Sequence, residues 1–161
     1  MMLALLGLLA CDDTPEPPPK AHAEMSREEL RTACTNADNQ ACHTLSKQLA
    51  TEGNFSRAAE ISQQACQRDE PQGCGEYGRF LIQAASESRE SQAEALPHIT
   101  KACQADLAEF CLIEAGVLVT LQGQPAAVSA YERACELHNN SACLDLGEIL
   151  VLGDPSLRDV S

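Results

Sequence analysis

The stretch Ala65-Cys66-Gln67-Arg68-Asp69-Glu70-Pro71-Gln72-Gly73-Cys74 places two cysteines around a run of turn-forming residues, with seven residues between them. The same interval separates Cys34 from Cys42, Cys103 from Cys111 and Cys135 from Cys143. The first members of these pairs are 32, 37 and 32 residues apart, a period that marks an array of supersecondary units. Aligning on the pairs extends the register. Alanine precedes each first cysteine (Ala33, Ala65, Ala102, Ala134), and Ala58, Ala95 and Ala127 stand eight positions before the last three. Four residues after each second cysteine is a small side chain (Ser46, Gly78, Ala115, Gly147), and seven after it is leucine (Leu49, Leu81, Leu118, Leu150). Small residues and leucine at helical spacing are what closely crossing helices need.

Helices are expected on both sides of every cysteine turn. Ser26 and Glu29 form a capping box that opens a helix running to about Cys34. Thr35 to Gln40 is turn chemistry, and a second helix over 41–52 stops at Gly53, in the position glycine favours after a helix. Ser56 is expected to cap the next helix, which reaches Gln67 before Asp69 to Gly73 breaks it. Further helices follow over 74–87, 91–104, 109–122, 125–137 and 141–152, with stops at Gly123 and Gly153. Pro125 suits a first turn. Pro97 predicts a kink or a later start near Leu96, and the extra five residues of the longest repeat fall around Ser86 to Ser91.

Eight residues along one helix span ~12 Å, whereas a disulfide needs Cα atoms within ~7 Å. Each pair is therefore bridged only if the chain reverses between its members. Eight cysteines allow 105 connectivities, of which local pairing is the most economical for a symmetric repeat. Zinc sites favour two to four residues between cysteines and redox enzymes favour two, neither of which matches this register. Structural disulfides are the preferred reading over a reduced, metal-binding thiol protein.

The ninth cysteine belongs to a different argument. Met1 to Ala10 is apolar and ends Leu8-Leu9-Ala10-Cys11, which resembles the lipobox of bacterial lipoproteins. The resemblance implies that residues 1–10 are a signal peptide and that Cys11 is the lipidated first residue of the mature chain. The run is too short for a membrane span and lacks a preceding Lys or Arg, which an upstream start would supply. Residues 11–25 then read as a linker, stiffened by Pro15, Pro17, Pro18 and Pro19. The repeat domain is expected over 26–153, with 154–161 as a tail.

Net charge is −13 over 161 residues, so phosphate backbones would be repelled, and nucleic acid is not an expected partner. No metal-spaced His/Glu pair, phosphate loop, G-x-S-x-G or S-x-x-K element is present. No catalytic residue, metal ligand or cofactor is assigned. The histidines, His22, His43, His98 and His138, read as helix-end or spacer residues.

The motif A-C-x7-C-x3-small-x2-L, followed by Gly in most copies, resembles the Sel-one-like repeat family, especially its cysteine-rich secreted bacterial members. The resemblance covers Ser26 to Gly153, although the period is short and the family's Gly-x-Gly-Val turn is missing. It implies an all-α fold, a right-handed superhelical solenoid of antiparallel helix pairs, with each disulfide joining the second helix of one unit to the first of the next. It also implies a protein or peptide partner in the cell envelope, rather than catalysis. On that pattern Lys47, Glu76, Arg79, Asp145 and Glu148, with Thr44, would line the binding face. Ile113 and Val117 would contribute an apolar strip, unless that helix is apolar simply because it is central. The combined expectation is a lipid-anchored scaffold facing the periplasm or exterior. The alternative is an envelope enzyme of the β-lactam-recognising kind.

Overall fold

The computed structural model describes residues 20–152; Cys11, most of the proline linker and Gly153 lie outside the described residues. After a short 3-10 turn (His22–Glu24) come eight helices: α1 (Arg27–Thr35), α2 (Asn39–Thr51), α3 (Phe55–Cys66), α4 (Pro71–Ala84), α5 (Arg89–Gln104), α6 (Ala108–Gln122), α7 (Gln124–Glu136) and α8 (Asn140–Leu152). Each packs chiefly on the helix before and the helix after it, as in a solenoid. Four disulfides close the expected pairs, Cys34–Cys42, Cys66–Cys74, Cys103–Cys111 and Cys135–Cys143, with Cα separations of 4.3 to 4.7 Å.

The cysteine turns are four copies of one hydrogen-bonding motif. Three residues past each first cysteine stands a left-handed residue: Ala37 (φ 69°), Asp69 (φ 61°), Asp106 (φ 62°) and His138 (φ 65°). Its N–H donates to the first cysteine's carbonyl, and the next N–H reaches back to the alanine before that cysteine (Asp38 to Ala33, Glu70 to Ala65, Leu107 to Ala102, Asn139 to Ala134). These are the two bonds of a Schellman ending. The residue that completes one helix then caps the next. Asp38 accepts from the Ala41 N–H at 3.0 Å, Glu70 from the Gln72 N–H at 3.2 Å, and Asn139 from the Ala142 N–H at 3.2 Å. Leu107, at the same place in the third turn, has no capping side chain. The seven-residue interval is therefore the length of a helix end, one left-handed residue and a helix start, fused without a spacer.

Ala37 has no side-chain reason to be left-handed, and a Cβ there costs roughly 1–2 kcal/mol. Ala37→Gly is expected to raise stability by about 0.5 kcal/mol, after the extra unfolded-state entropy of glycine is subtracted. Urea denaturation of the variant against the parent measures it.

The core between turns is a seam of small residues. On α3, α5 and α7 the buried positions i, i+4 and i+7 are Ala58/Ser62/Ala65, Ala95/Ile99/Ala102 and Ala127/Tyr131/Ala134. On α5 and α7 they face i, i+3 and i+7 of the preceding helix, Gly75/Gly78/Ile82 on α4 and Leu112/Ala115/Val119 on α6; the same positions on α2 are His43/Ser46/Ala50. The approach is closest at α4. A Cβ on Gly78 would stand 2.7 Å from Ile99, and one on Gly75 would stand 2.6 Å from Phe110 and 2.7 Å from Ala102.

Several helix boundaries differ from expectation. Asn54, not Ser56, caps α3; it follows left-handed Gly53 (φ 76°) and accepts from the Arg57 N–H at 3.4 Å. Pro71 starts α4 instead of breaking it, because a first-turn residue needs no N–H partner. Helix α5 runs unbroken from Arg89 through Pro97, so the start near Leu96 is corrected. Pro97 and Ala93, the residue whose carbonyl loses its partner, are both exposed, so the lost bond is not a buried one. The extra residues of the longest repeat are taken up in the 85–88 turn and the 16-residue α5.

Candidate interaction surface

Two neighbouring second-cysteine helices, α2 and α4, meet over a buried polar cluster. Glu76, expected on the binding face, is 2% exposed and lies inside that seam. Its carboxylate accepts from the Ser46 hydroxyl at 3.3 Å and pairs with His43 Nδ1 at 2.5 Å. The Arg79 guanidinium, one turn on, sits 3.7 Å away. The Gln72 side-chain amide nitrogen lies 3.2 Å from both ring nitrogens of His43. Glu76 is thus corrected from a surface residue to an internal one. The reason lies in the preceding repeat: Ser46 and His43 on α2 supply polar partners where the equivalent residues of α4 are Gly78 and Gly75.

Arg79 stays at the surface, half-buried, paired with Glu109 and stacked 5.1 Å over the Phe80 ring and 5.7 Å over Phe110. Beside it opens a cleft of about 280 Å³, lined by Lys47, Ala50, Thr51, Phe55, Arg79, Phe80 and Gln83. Phe55 and Phe80 give it an apolar wall. Lys47 is exposed and has no ion-pair partner among the described residues, so its charge is available to a ligand. Thr44 and Lys47 also border an adjoining hollow of about 450 Å³ with Gln40, His43 and Gln48. The structure therefore brings together Lys47 and Arg79 of the expected set, and adds two phenylalanines whose role the repeat pattern did not signal.

At the other end of the array Asp145 and Glu148 are exposed, in a hollow of about 460 Å³ with Val119, Gln124, Tyr131, Ile149 and Leu152. Burial, and then the Asp145 charge, push the Tyr131 hydroxyl above its ordinary pKa. The expected apolar strip is not an open one. Val117 is buried, and Ile113 packs with Leu121, Ile99 and Phe110 toward α5, while Leu112, Leu118 and Val119 pack toward α7. Helix α6 is apolar all round because it has a neighbour on each side.

A ladder of cations runs along the cysteine turns. Arg68 Nε donates to Asn39 at 2.9 Å, Lys101 pairs with Asp69 at 2.6 Å, and Arg133 pairs with Asp106 at 2.8 Å. Each cation comes from the repeat after the turn it meets. The Lys101 hydrogen bond holds the Asp69 carboxyl below its usual range. Exposed pairs of this kind contribute ~0–1 kcal/mol each, so the ladder sets register more than stability.

Beside the Asp69 rung, His98 lies edge-on to Tyr77 (ring centroids 4.8 Å apart), with Nδ1 3.7 Å from Cys66 Sγ. Burial depresses the His98 pKa; Glu94 opposes this and Lys101 adds to it. A histidine whose folded pKa is lowered binds its proton more readily in the unfolded chain. Stability from this group is present above the unfolded value of ~6.5 and is lost as pH falls through it toward the folded one. His98→Gln is therefore expected to flatten the fall in thermal midpoint between about pH 7 and pH 5.

Among the described residues no group of three or more His, Cys, Asp or Glu is arranged to hold a metal ion, and no helix is long and apolar enough to cross a membrane. No family model and no curated protein matches the chain. Among solved structures, Helicobacter pylori cysteine rich protein B (hcpB) superposes with a TM-score of 0.54 at 20% identity, over 77% of this chain and 99% of that one. At that identity the likeness is one of fold: the chain shares its all-helical repeat fold with that protein, and its own four disulfides staple it.

Proposed function

We propose that the protein is an envelope scaffold, tethered by acyl-Cys11 and the proline linker, that holds an extended segment of a partner protein in the α2/α4 cleft. The observation that carries this reading is the meeting of unpaired Lys47 and stacked Arg79 over an apolar wall of Phe55 and Phe80. Such a site takes a peptide with an acidic group next to an apolar side chain. The cations fix orientation, and the half-buried Phe55 ring, backed by buried Phe80, supplies apolar contact. Four disulfides support an oxidising compartment outside the cytoplasm. A lipidated cysteine ahead of a stiff linker would hold the array off a membrane surface, facing the periplasm or exterior.

The role is non-catalytic in this reading. The Glu76 carboxylate is buried and its partners, His43, Ser46 and Arg79, are all groups of the chain itself. Photo-crosslinking from the cleft in intact cells, with parent and Lys47→Glu chains compared, tests the partner claim. A crosslinked envelope protein that disappears in Lys47→Glu supports it; crosslinks unchanged by the substitution contradict it. Turnover of a chromogenic β-lactam that co-purifies with the protein would overturn the non-catalytic role.

A further inference from the structure

The repeat register defines a second surface, independent of the α2/α4 cleft. One, four and eight residues after the second cysteine lie positions that later helices cover: His43/Ser46/Ala50, Gly75/Gly78/Ile82 and Leu112/Ala115/Val119. All nine are buried or half-buried. The same three positions on α8 are Leu144, Gly147 and Val151, and all three are exposed. Leu144 is 75% exposed and Val151 67%; with Leu152 at 73% they are the large exposed apolar side chains among the described residues. A Cβ on Gly147 would meet nothing within 4 Å, whereas one on its counterpart Gly78 would meet Ile99 at 2.7 Å.

We propose that this face of α8 docks an amphipathic helix of a partner protein, one with small residues at i and i+7, an apolar residue at i+4 and basic residues alongside. The array itself specifies the helix. The α4 and α6 copies of the face are filled by α-helices presenting Ala95/Ile99/Ala102 and Ala127/Tyr131/Ala134 at that spacing. The outer face of a capping repeat is ordinarily polar, whereas among the described residues α8 is apolar and exposed at these positions. The charge follows from the surroundings. Asp145 and Glu148 are exposed on the same helix without an ion-pair partner among the described residues, and the chain carries −13 overall. A second copy of so acidic a chain is disfavoured there, and a lysine- or arginine-flanked helix is favoured.

The test uses the full chain and a fluorescent synthetic helix of about four turns, with alanine at i and i+7, leucine at i+4 and lysine on both flanks. Binding by anisotropy is expected, weakening with salt. Gly147→Gln, which has room to fold but blocks close approach, is expected to weaken binding by about tenfold or more. Asp145→Asn with Glu148→Gln is expected to weaken it and flatten the salt dependence. Lys47→Glu is expected to leave it unchanged, which separates this face from the cleft. Three results would overturn the assignment. One is binding indifferent to Gly147→Gln. Another is concentration-dependent dimerisation of the chain that Gly147→Gln abolishes, which would give the face to a second copy. The third is tighter peptide binding by Leu157→Asp, which would give it to residues 153–161.

Discussion

Reducing all four disulfides with excess dithiothreitol is expected to unfold the array at room temperature, seen as loss of the helical circular dichroism signal. Each bridge closes a nine-residue loop, counted from a sequence separation of 8, and the chain-entropy model gives ~2.6 kcal/mol for that length. Four such terms, as an upper figure of ~10 kcal/mol, rival the ~5–15 kcal/mol that holds a typical domain. The core has little to set against their loss: much of it is alanine, and Phe80, Phe110 and Tyr131 are its buried aromatics. The bridges are not expected to open together. Cys135 and Cys143 are both partly exposed, whereas each of the other three pairs has at least one fully enclosed sulfur-bearing residue. Limiting reductant followed by alkylation and peptide mapping should find Cys135 and Cys143 modified first. Modification of Cys34 or Cys42 ahead of them would contradict the burial argument.

Gly78→Ala and Gly147→Ala occupy the same repeat position and are expected to act in opposite directions. At Gly78 the new methyl stands 2.7 Å from Ile99 and 3.0 Å from the Ala95 carbonyl oxygen, so α4 and α5 must separate. Overpacking of that kind costs typically 1–3 kcal/mol, and the backbone oxygen removes the easy relaxation. At Gly147 there is open space, and replacing a mid-helix glycine by alanine gains roughly 0.5–1 kcal/mol. The pair is measured by thermal or urea melts of the two variants against the parent. Equal effects would mean that α8 is covered as α4 is, and would remove the basis for an open end face.

The array was legible because its strongest constraints are local and repeat. The alanines at 58, 95 and 127 and the small residues at 46, 78 and 115 are buried where the register placed them. The cysteine interval predicted a reversal that the Schellman turns provide. Legibility failed where a side chain's environment depends on a different repeat. Glu76 sits at a position that alternation makes a surface one, yet Ser46 and His43, 30 and 33 residues earlier, turn it into a buried acceptor. Ile113 and Val117 read as a strip because periodicity along one helix does not report how many neighbours that helix has. The Phe55/Phe80 wall of the cleft joins two helices and leaves no mark in either alone. Boundary errors were smaller and chemical: Asn54 outranked Ser56 as a cap, and Pro71 opened a helix rather than ending one.

Peptide mass spectrometry of the protein extracted from native membranes, alkylated before any reduction, tests the central claim most directly. The account predicts no alkylation at the eight repeat cysteines, four crosslinked peptides joining residues eight apart, and a diacyl or triacyl mass on Cys11. Free thiols throughout, with Met1 intact, would contradict both the stapled array and its place in the envelope.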